Sequence, residues 1–216
     1  MRIDKCVTAE GNDVMSPNRM PRLQQQRSID TREAILAGAA RVFARVTYAE
    51  ARYRDVADES GASEGALYFH FRSKADLAKA VLSEQQERMT AVLVRTEAEA
   101  GSGLEILLRL MANLADLISC DEIVQAGIHL AGQPSSEVNP EASEPYMEWV
   151  RIARSFISRG VADGSIRTDA DVDLYAELFN TVFVGSQVLA GLEDRWASLP
   201  RRVERLIPTL TAVLSA

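Results

Sequence analysis

The side chains able to do chemistry in this chain crowd into one short stretch. Ser63, Tyr68, His70 and Lys74 surround the small residues Gly65 and Ala66, with Phe69 among them and Arg52 just upstream. A hydroxyl, a phenol, an imidazole and an ammonium can all donate hydrogen bonds to phosphate oxygens. Catalytic arrangements, by contrast, are missing. His70 and His129 are the only two histidines, and they lie too far apart along the chain to imply a shared site. The acidic groups Asp121-Glu122 and Asp169/Asp171/Asp173 fall where helices should begin, where they answer the helix dipole. There is no GxSxG, no HExxH, no phosphate-cradling glycine loop and no CxxC pair. Cys6 and Cys120 do not stand at a metal-ligand spacing and read as two reduced thiols. The expectation is a protein with no catalytic residue, no metal and no cofactor.

The elements around the cluster explain what it would be for. Ile29, Ile35, Leu36, Ala39, Ala40, Val42 and Phe43 recur at helical spacing, with Asp30 and Thr31 near the start as candidate caps. A shorter helix follows over about Tyr53 to Ser60, with Val56 and Ala57 on its inner face. Gly61 then supplies a reversal that needs positive φ. Ser63 is placed to cap a third short helix, Glu64 to His70, and a long helix begins near Ser73. Three short helices with a glycine turn between the second and third form a helix-turn-helix. Its third helix must be narrow near its start to enter a DNA major groove about 12 Å wide. Gly65 and Ala66 meet that condition.

Residues 1–26 lack a hydrophobic period and read as a flexible tail. Nothing at the N-terminus resembles an apolar leader segment, so the expected location is the cytoplasm. Beyond the head, loops are marked at 101–103, 133–145, 163–164 and 198–200. Helical patterns occupy roughly 104–118, 122–132, 146–162, 170–191 and 200–214, and no segment alternates with period two. The fold expectation is all-α with about nine helices: a tail at 1–26, a DNA-binding head at 27–74 and a helical body at 75–216. Charge divides along the same border. The whole chain carries −7, residues 19–74 carry +3 and residues 75–216 carry −9, as suits a molecule that meets phosphates at one end. The most apolar stretch, 174–192, contains Glu177, Asn180, Ser186 and Gln187 and reads as a core helix rather than a membrane span.

The run Asp55-Val-Ala-Asp-Glu-Ser-Gly-Ala-Ser-Glu-Gly-Ala-Leu-Tyr-Phe-His-Phe-Arg-Ser-Lys74 resembles the DNA-binding head of the TetR family of repressors. The resemblance extends over residues 27–88, with the helix-turn-helix at about 52–71. It implies groove or phosphate contacts for Tyr68 and His70, a phosphate anchor in Lys74, and packing roles for Leu67 and Phe71. Two positions depart from the family pattern. Thr47 precedes Tyr48 where a glycine is usual, and Ala51-Arg52 replaces a Thr-Thr start of the second helix. The lost hydroxyl cap weakens that start by ~0.5–2 kcal/mol, while Arg52 gains the chance of a phosphate contact.

The body carries a second resemblance. Leu77 to Leu82, Gln125-Ala-Gly-Ile-His-Leu130 and Pro145-Tyr-Met-Glu-Trp149 are similar to the γ-butyrolactone receptors of streptomycetes. That likeness implies that Trp149 lies in a ligand cavity. An aromatic stripe such as Tyr146, Trp149, Ala153 and Phe156 would by itself be read as plain core. With the resemblance it becomes the wall of a site for a lactone or furan with an alkyl tail. Gln125, His129, Tyr146 and Gln187 are the candidates to orient its polar groups. A cavity for an antibiotic or other drug is the alternative. The family pairs its last two helices across a two-fold axis, which here implies an interface through Leu178, Val182, Gly185, Leu189, Leu206 and Leu210. The expected function is a homodimeric repressor released from a palindromic operator by a small effector.

Overall fold

The computed structural model describes residues 19–133, 138 and 144–215. The tail reading of residues 1–18 and most of the 133–145 loop therefore lie outside the described residues. Within them the chain forms nine helices: α1 (Arg19–Phe43), α2 (Tyr53–Ser60), α3 (Glu64–His70), α4 (Lys74–Glu97), α5 (Gly103–Cys120), α6 (Glu122–Ala131), α7 (Glu144–Asp163), α8 (Val172–Asp194) and α9 (Leu199–Leu214).

Local chemistry explains most of the borders. Ser63, Ser73, Ser102, Asp121 and Asp171 each accept a backbone N–H of the turn that follows them, which satisfies donors a helix start otherwise leaves unmade. Gly61 ends α2 at φ 69°, a left-handed conformation that costs a residue with a Cβ. α2 starts without a hydroxyl, as expected. The Asp55 carboxylate, however, accepts the backbone N–H of Arg52 at 3.1 Å, restoring part of the cap.

α1 begins at Arg19, so the expected border at residue 26 falls inside a helix. The reason is that its first turns need no apolar face: residues 25–30 are all exposed, and Gln26 bonds Asp30 one turn on at 2.8 Å. Asp30 and Thr31 accordingly sit mid-helix, and Thr31 donates back to the Arg27 carbonyl.

Two hydrophobic cores organise the molecule. The body core is built by α5, α7, α8 and α9 with the second half of α4 and Val124 of α6, around Ile106, Leu110, Ile118, Phe156, Ile157, Phe179 and Val203. The head core holds Ile35, Phe43, Val56, Leu67 and Phe71, but it does not stop at Lys74. Leu77, Ala78 and Val81 of α4, and Ile123, Ala126 and Leu130 of α6, are buried in it. The head core therefore runs past residue 74 into α4 and α6. The apolar side of α1, with Ile35, Ala39, Val42 and Phe43, is covered by α2, α4 and α6 together.

Candidate functional site: an exposed recognition helix, an apolar cavity and an open helical face

On the head, α3 presents a surface rather than a pocket. Ser63, Gly65, Tyr68 and Phe69 are exposed, Ala66 and His70 are partly so, and only Leu67 is buried in the helix. Phe69 is 79% exposed, so core packing is not its role. Its ring meets the His70 imidazole edge-on at 5.1 Å. Tyr68 stacks on Tyr53 at 4.8 Å, and the Tyr53 hydroxyl donates to the Phe71 carbonyl at 2.6 Å. Burial first, then the neighbouring Tyr68, pushes the Tyr53 phenol up to about 12, so it stays a donor at any ordinary pH. Tyr53 therefore fixes the end of α3 to α2. Sequence reasoning missed it because a Tyr opening a short helix looks like any other amphipathic residue.

Lys74 departs from its expected role. Its ammonium donates to the carbonyls of Tyr48 at 2.7 Å, Ala51 at 3.0 Å and Ala49 at 3.4 Å, and it lies 4.5 Å from the Tyr48 ring centroid. An ammonium has three donors, and all three are engaged in tying the α1–α2 connection to the start of α4. Cations that remain available beside α3 are Arg52 and Arg72, both exposed.

In the body, α4, α5, α6, α7 and α8 surround a cavity of about 480 Å³. Its wall is mainly apolar, from Met89, Leu110, Met111, Trp149, Phe179 and Phe183, with polar side chains from Gln85, Gln86, Tyr146, Glu148, Asn180 and Gln187. Of the expected ligand residues, Trp149, Tyr146 and Gln187 reach it. Three do not. Gln125 donates to the Ile118 carbonyl at 2.8 Å, because it faces back along α5. His129 Nδ1 lies 2.6 Å from the Phe43 carbonyl, because its side of α6 faces the head; as a carbonyl only accepts, the proton sits on Nδ1. Phe156 is buried in the body core behind the cavity, where Ala153 takes the lining position one turn earlier on the stripe. The contributions of α4 and α5 were not foreseen, since their apolar residues follow the same period as ordinary core.

α6 is common to both regions. Ile128 and Ala131 line the cavity, while Ile123, Ala126 and Leu130 belong to the head core. Polar links reinforce the join. Gln133 Oε1 accepts the Tyr48 N–H at 2.7 Å, and Arg88 of α4 donates to Asp121, the cap of α6, at 2.7 Å. Close packing does the rest: a Cβ on Gly127 would fall 2.5 Å from the Gln85 Cβ.

On the far side of the body, α8 exposes an apolar stripe. Leu174, Leu178, Leu189 and Leu192 are exposed, Leu192 at 82%. Val182 is half-buried and Gly185 open, and a shallow groove between α8 and α9 includes Val182, Gly185, Leu189 and Leu206. Leu210 does not belong to this face. It is buried in the body core, because the period of α9 turns it inward.

The arrangement has known counterparts. A family model described as "Bacterial regulatory proteins, tetR family" matches residues 35–81, and one described as "Tetracyclin repressor-like, C-terminal domain" matches residues 101–214. The chain belongs to the TetR family. This is a family of transcriptional regulators rather than enzymes. Among sequences, the A-factor receptor protein of Streptomyces griseus is 26% identical over 183 residues, which span 85% of this chain and 63% of that protein. Among solved structures, a γ-butyrolactone receptor (ArpA-like protein) is 31% identical with a TM-score of 0.74, covering 88% of this chain and 90% of that one. CprB from Streptomyces coelicolor, solved in complex with its biological operator sequence, is 30% identical with a TM-score of 0.73 over 88% of this chain and 90% of that one. Among the described residues no helix is long and apolar enough to cross a membrane, and no three His, Cys, Asp or Glu side chains are grouped to hold a metal ion.

Proposed function

We propose that the protein is a dimeric transcriptional repressor that leaves its operator when a small signalling molecule of the γ-butyrolactone or furan type fills the body cavity. The observation that carries this reading is the double membership of α6, whose one side walls the cavity and whose other side closes the head core. A ligand that moves α6 cannot leave the head as it was, because packed cores switch between discrete arrangements rather than deform smoothly. The two relatives named for A-factor and γ-butyrolactone binding support the ligand class, and the operator-bound relative supports the DNA partner.

In this reading α3 enters the major groove. Gly65 and Ala66 allow the approach, while Ser63, Tyr68, Phe69 and His70 face the groove or its phosphates, with Arg52 and Arg72 as the flanking cations. Lys74 acts from behind, by holding the α1–α2 connection. A second copy covers the α8 stripe of Leu174, Leu178, Val182, Gly185, Leu189 and Leu192 together with Leu206 of α9. Contiguous exposed apolar surface of this kind is characteristic of partner-binding faces. Two α3 helices related by that axis would address half-sites one helical turn apart, about 34–36 Å or a multiple. Such a protein works in the cytoplasm, beside the chromosome.

Release requires the effector to favour the non-binding form. A nearly complete switch needs roughly 10⁴-fold preference, or about 5.5 kcal/mol. Trp149 offers the largest single ring to that contact. Trp149→Ala should leave operator affinity within a few-fold of wild type and abolish release by a γ-butyrolactone bearing an alkyl chain, measured as a DNA-release titration with circular dichroism as the folding control. Release at the wild-type concentration would return Trp149 to ordinary core.

A further inference from the structure

α3 carries no lysine or arginine, and its one acidic residue, Glu64, stands at its start. The Glu64 side chain is exposed and forms no hydrogen bond or ion pair with a described residue. The helix start does not depend on it, since the Ser63 hydroxyl already accepts the Ala66 N–H at 3.1 Å. A carboxylate in a first turn gains something from the helix dipole. Against DNA that gain is outweighed, because the phosphates on both sides of a groove repel an anion. A groove-entering helix tolerates Glu64 only where a donor on a base pairs with it. Gly65 beside it has no role in packing the protein: a Cβ there would meet only the Ser63 hydroxyl oxygen, at 3.9 Å. Glycine weakens a helix relative to alanine, and what it provides here is room for an outside surface to come close to the first turn of α3.

We infer that Glu64 determines sequence specificity by accepting a hydrogen bond from the N4 amino group of a cytosine in each half-site. An ionised carboxylate only accepts hydrogen bonds. On its major-groove edge guanine shows two acceptors, thymine an acceptor and a methyl group, and adenine an acceptor beside its donor. Cytosine shows the N4 donor alone. It is therefore the one base that can pair with a carboxylate without setting an acceptor against the second oxygen. Arg52 and Arg72, both exposed beside α3, are suited to phosphates, and such contacts fix position without reading sequence. Reading and positioning thus fall to residues of opposite charge. The two-fold axis of a dimer repeats the cytosine once in each half-site.

This rests on α3 entering the major groove, and one experiment separates the two. Random-sequence duplexes are selected in parallel by the wild-type protein, Glu64→Ala and Glu64→Gln, with thermal melting as the folding control. Fluorescence anisotropy then measures affinity for the enriched sites. The wild type should enrich a near-palindrome with cytosine at one position of each half-site, and replacing that base pair should weaken binding roughly fivefold or more per half-site. Glu64→Ala should lose the preference at that position alone and should bind unrelated DNA more tightly, since an anion has left the groove. Glu64→Gln should turn the preference to adenine, whose N6 donor and N7 acceptor match a carboxamide. If the wild type enriches no sequence, the operator reading fails and this inference with it. If it enriches a site and Glu64→Ala enriches the same site at every position, α3 still reads DNA, Glu64 serves only the helix dipole, and the inference alone is overturned.

Discussion

Gly127→Ala sets two physical effects against each other, and their sizes decide the outcome. Replacing a helical glycine by alanine normally stabilises a protein by ~0.5–1 kcal/mol, since alanine loses less conformational freedom on folding. Here the added methyl would stand 2.5 Å from the Gln85 Cβ, 2.7 Å from its Cγ and 3.2 Å from its Cδ. The nearest atom is at the base of that side chain, so no rotation about its outer bonds relieves the clash. α4 and α6 must separate by about 1 Å to restore van der Waals contact near 3.5–4.0 Å. Overpacking of this kind costs ~1–3 kcal/mol, more than the propensity gain, so the net expectation is a loss of about 1–2 kcal/mol. For a chain of this size that lowers the melting temperature by roughly 2–8 °C. The same separation moves Gln85 in the cavity wall and Ala126 in the head core. Operator affinity and lactone response should therefore change together. Calorimetry and fluorescence anisotropy with operator DNA measure the two. A Gly127→Ala protein that melts higher than wild type, with both functions unchanged, would show that α4 and α6 are not held at this distance.

Two further substitutions test other parts of the molecule. Val182→Arg places a charge at the centre of the α8 stripe and should yield monomers with at least tenfold weaker operator binding. A Val182→Arg dimer in sedimentation would place the interface elsewhere. Lys74→Met removes three carbonyl contacts from the α1–α2 connection and should cost ~1–3 kcal/mol of stability. The slope of log K against log salt should stay unchanged, whereas loss of a direct phosphate contact would flatten it by about 1.

The head was the most legible part of the sequence because its constraints are local. Gly61 for positive φ and Ser63 for the cap lie within a few residues of what they control, so their types reveal their roles. Lys74 shows where that stops: a lysine after a recognition helix has one appearance whether it meets a phosphate or three carbonyls of its own chain. The body helices were found to within a few residues by period and caps, yet which face met which neighbour was not. Gln125 and His129 share α6 with Ile128, but the first looks to α5 and the second to α1. Leu206 and Leu210 differ by one turn on α9, and only the latter is buried. Period marks an apolar side; it does not say whether core, cavity or partner will cover it. A head closed by α6 was beyond reach for the same reason, since that contact joins residues far apart in the chain.

The polar links between the head and α6, with Gln133 just past its end, converge on one segment, and this favours one route for the switch. His129 holds the carbonyl of Phe43 at the end of α1, Gln133 holds the N–H of Tyr48, and Lys74 holds the carbonyls of Tyr48, Ala49 and Ala51. The short connection between α1 and α2 is thus fixed from α6 on one side and from α4 on the other. Its far end, Ala51, is buried beside the start of α2, and α2 carries Tyr53, which in turn holds the end of α3. A shift of α6 reaches the recognition helix through hydrogen bonds of 2.6–2.7 Å at each junction, worth ~0.5–1.5 kcal/mol net for the neutral ones and ~1.5–3 kcal/mol for the one from charged Lys74. No single one of them can carry the ~5.5 kcal/mol of a full switch. That energy comes from the ligand's own contacts in the cavity; the buried contacts of Ile123, Ala126 and Leu130, together with the polar links, couple it to the head.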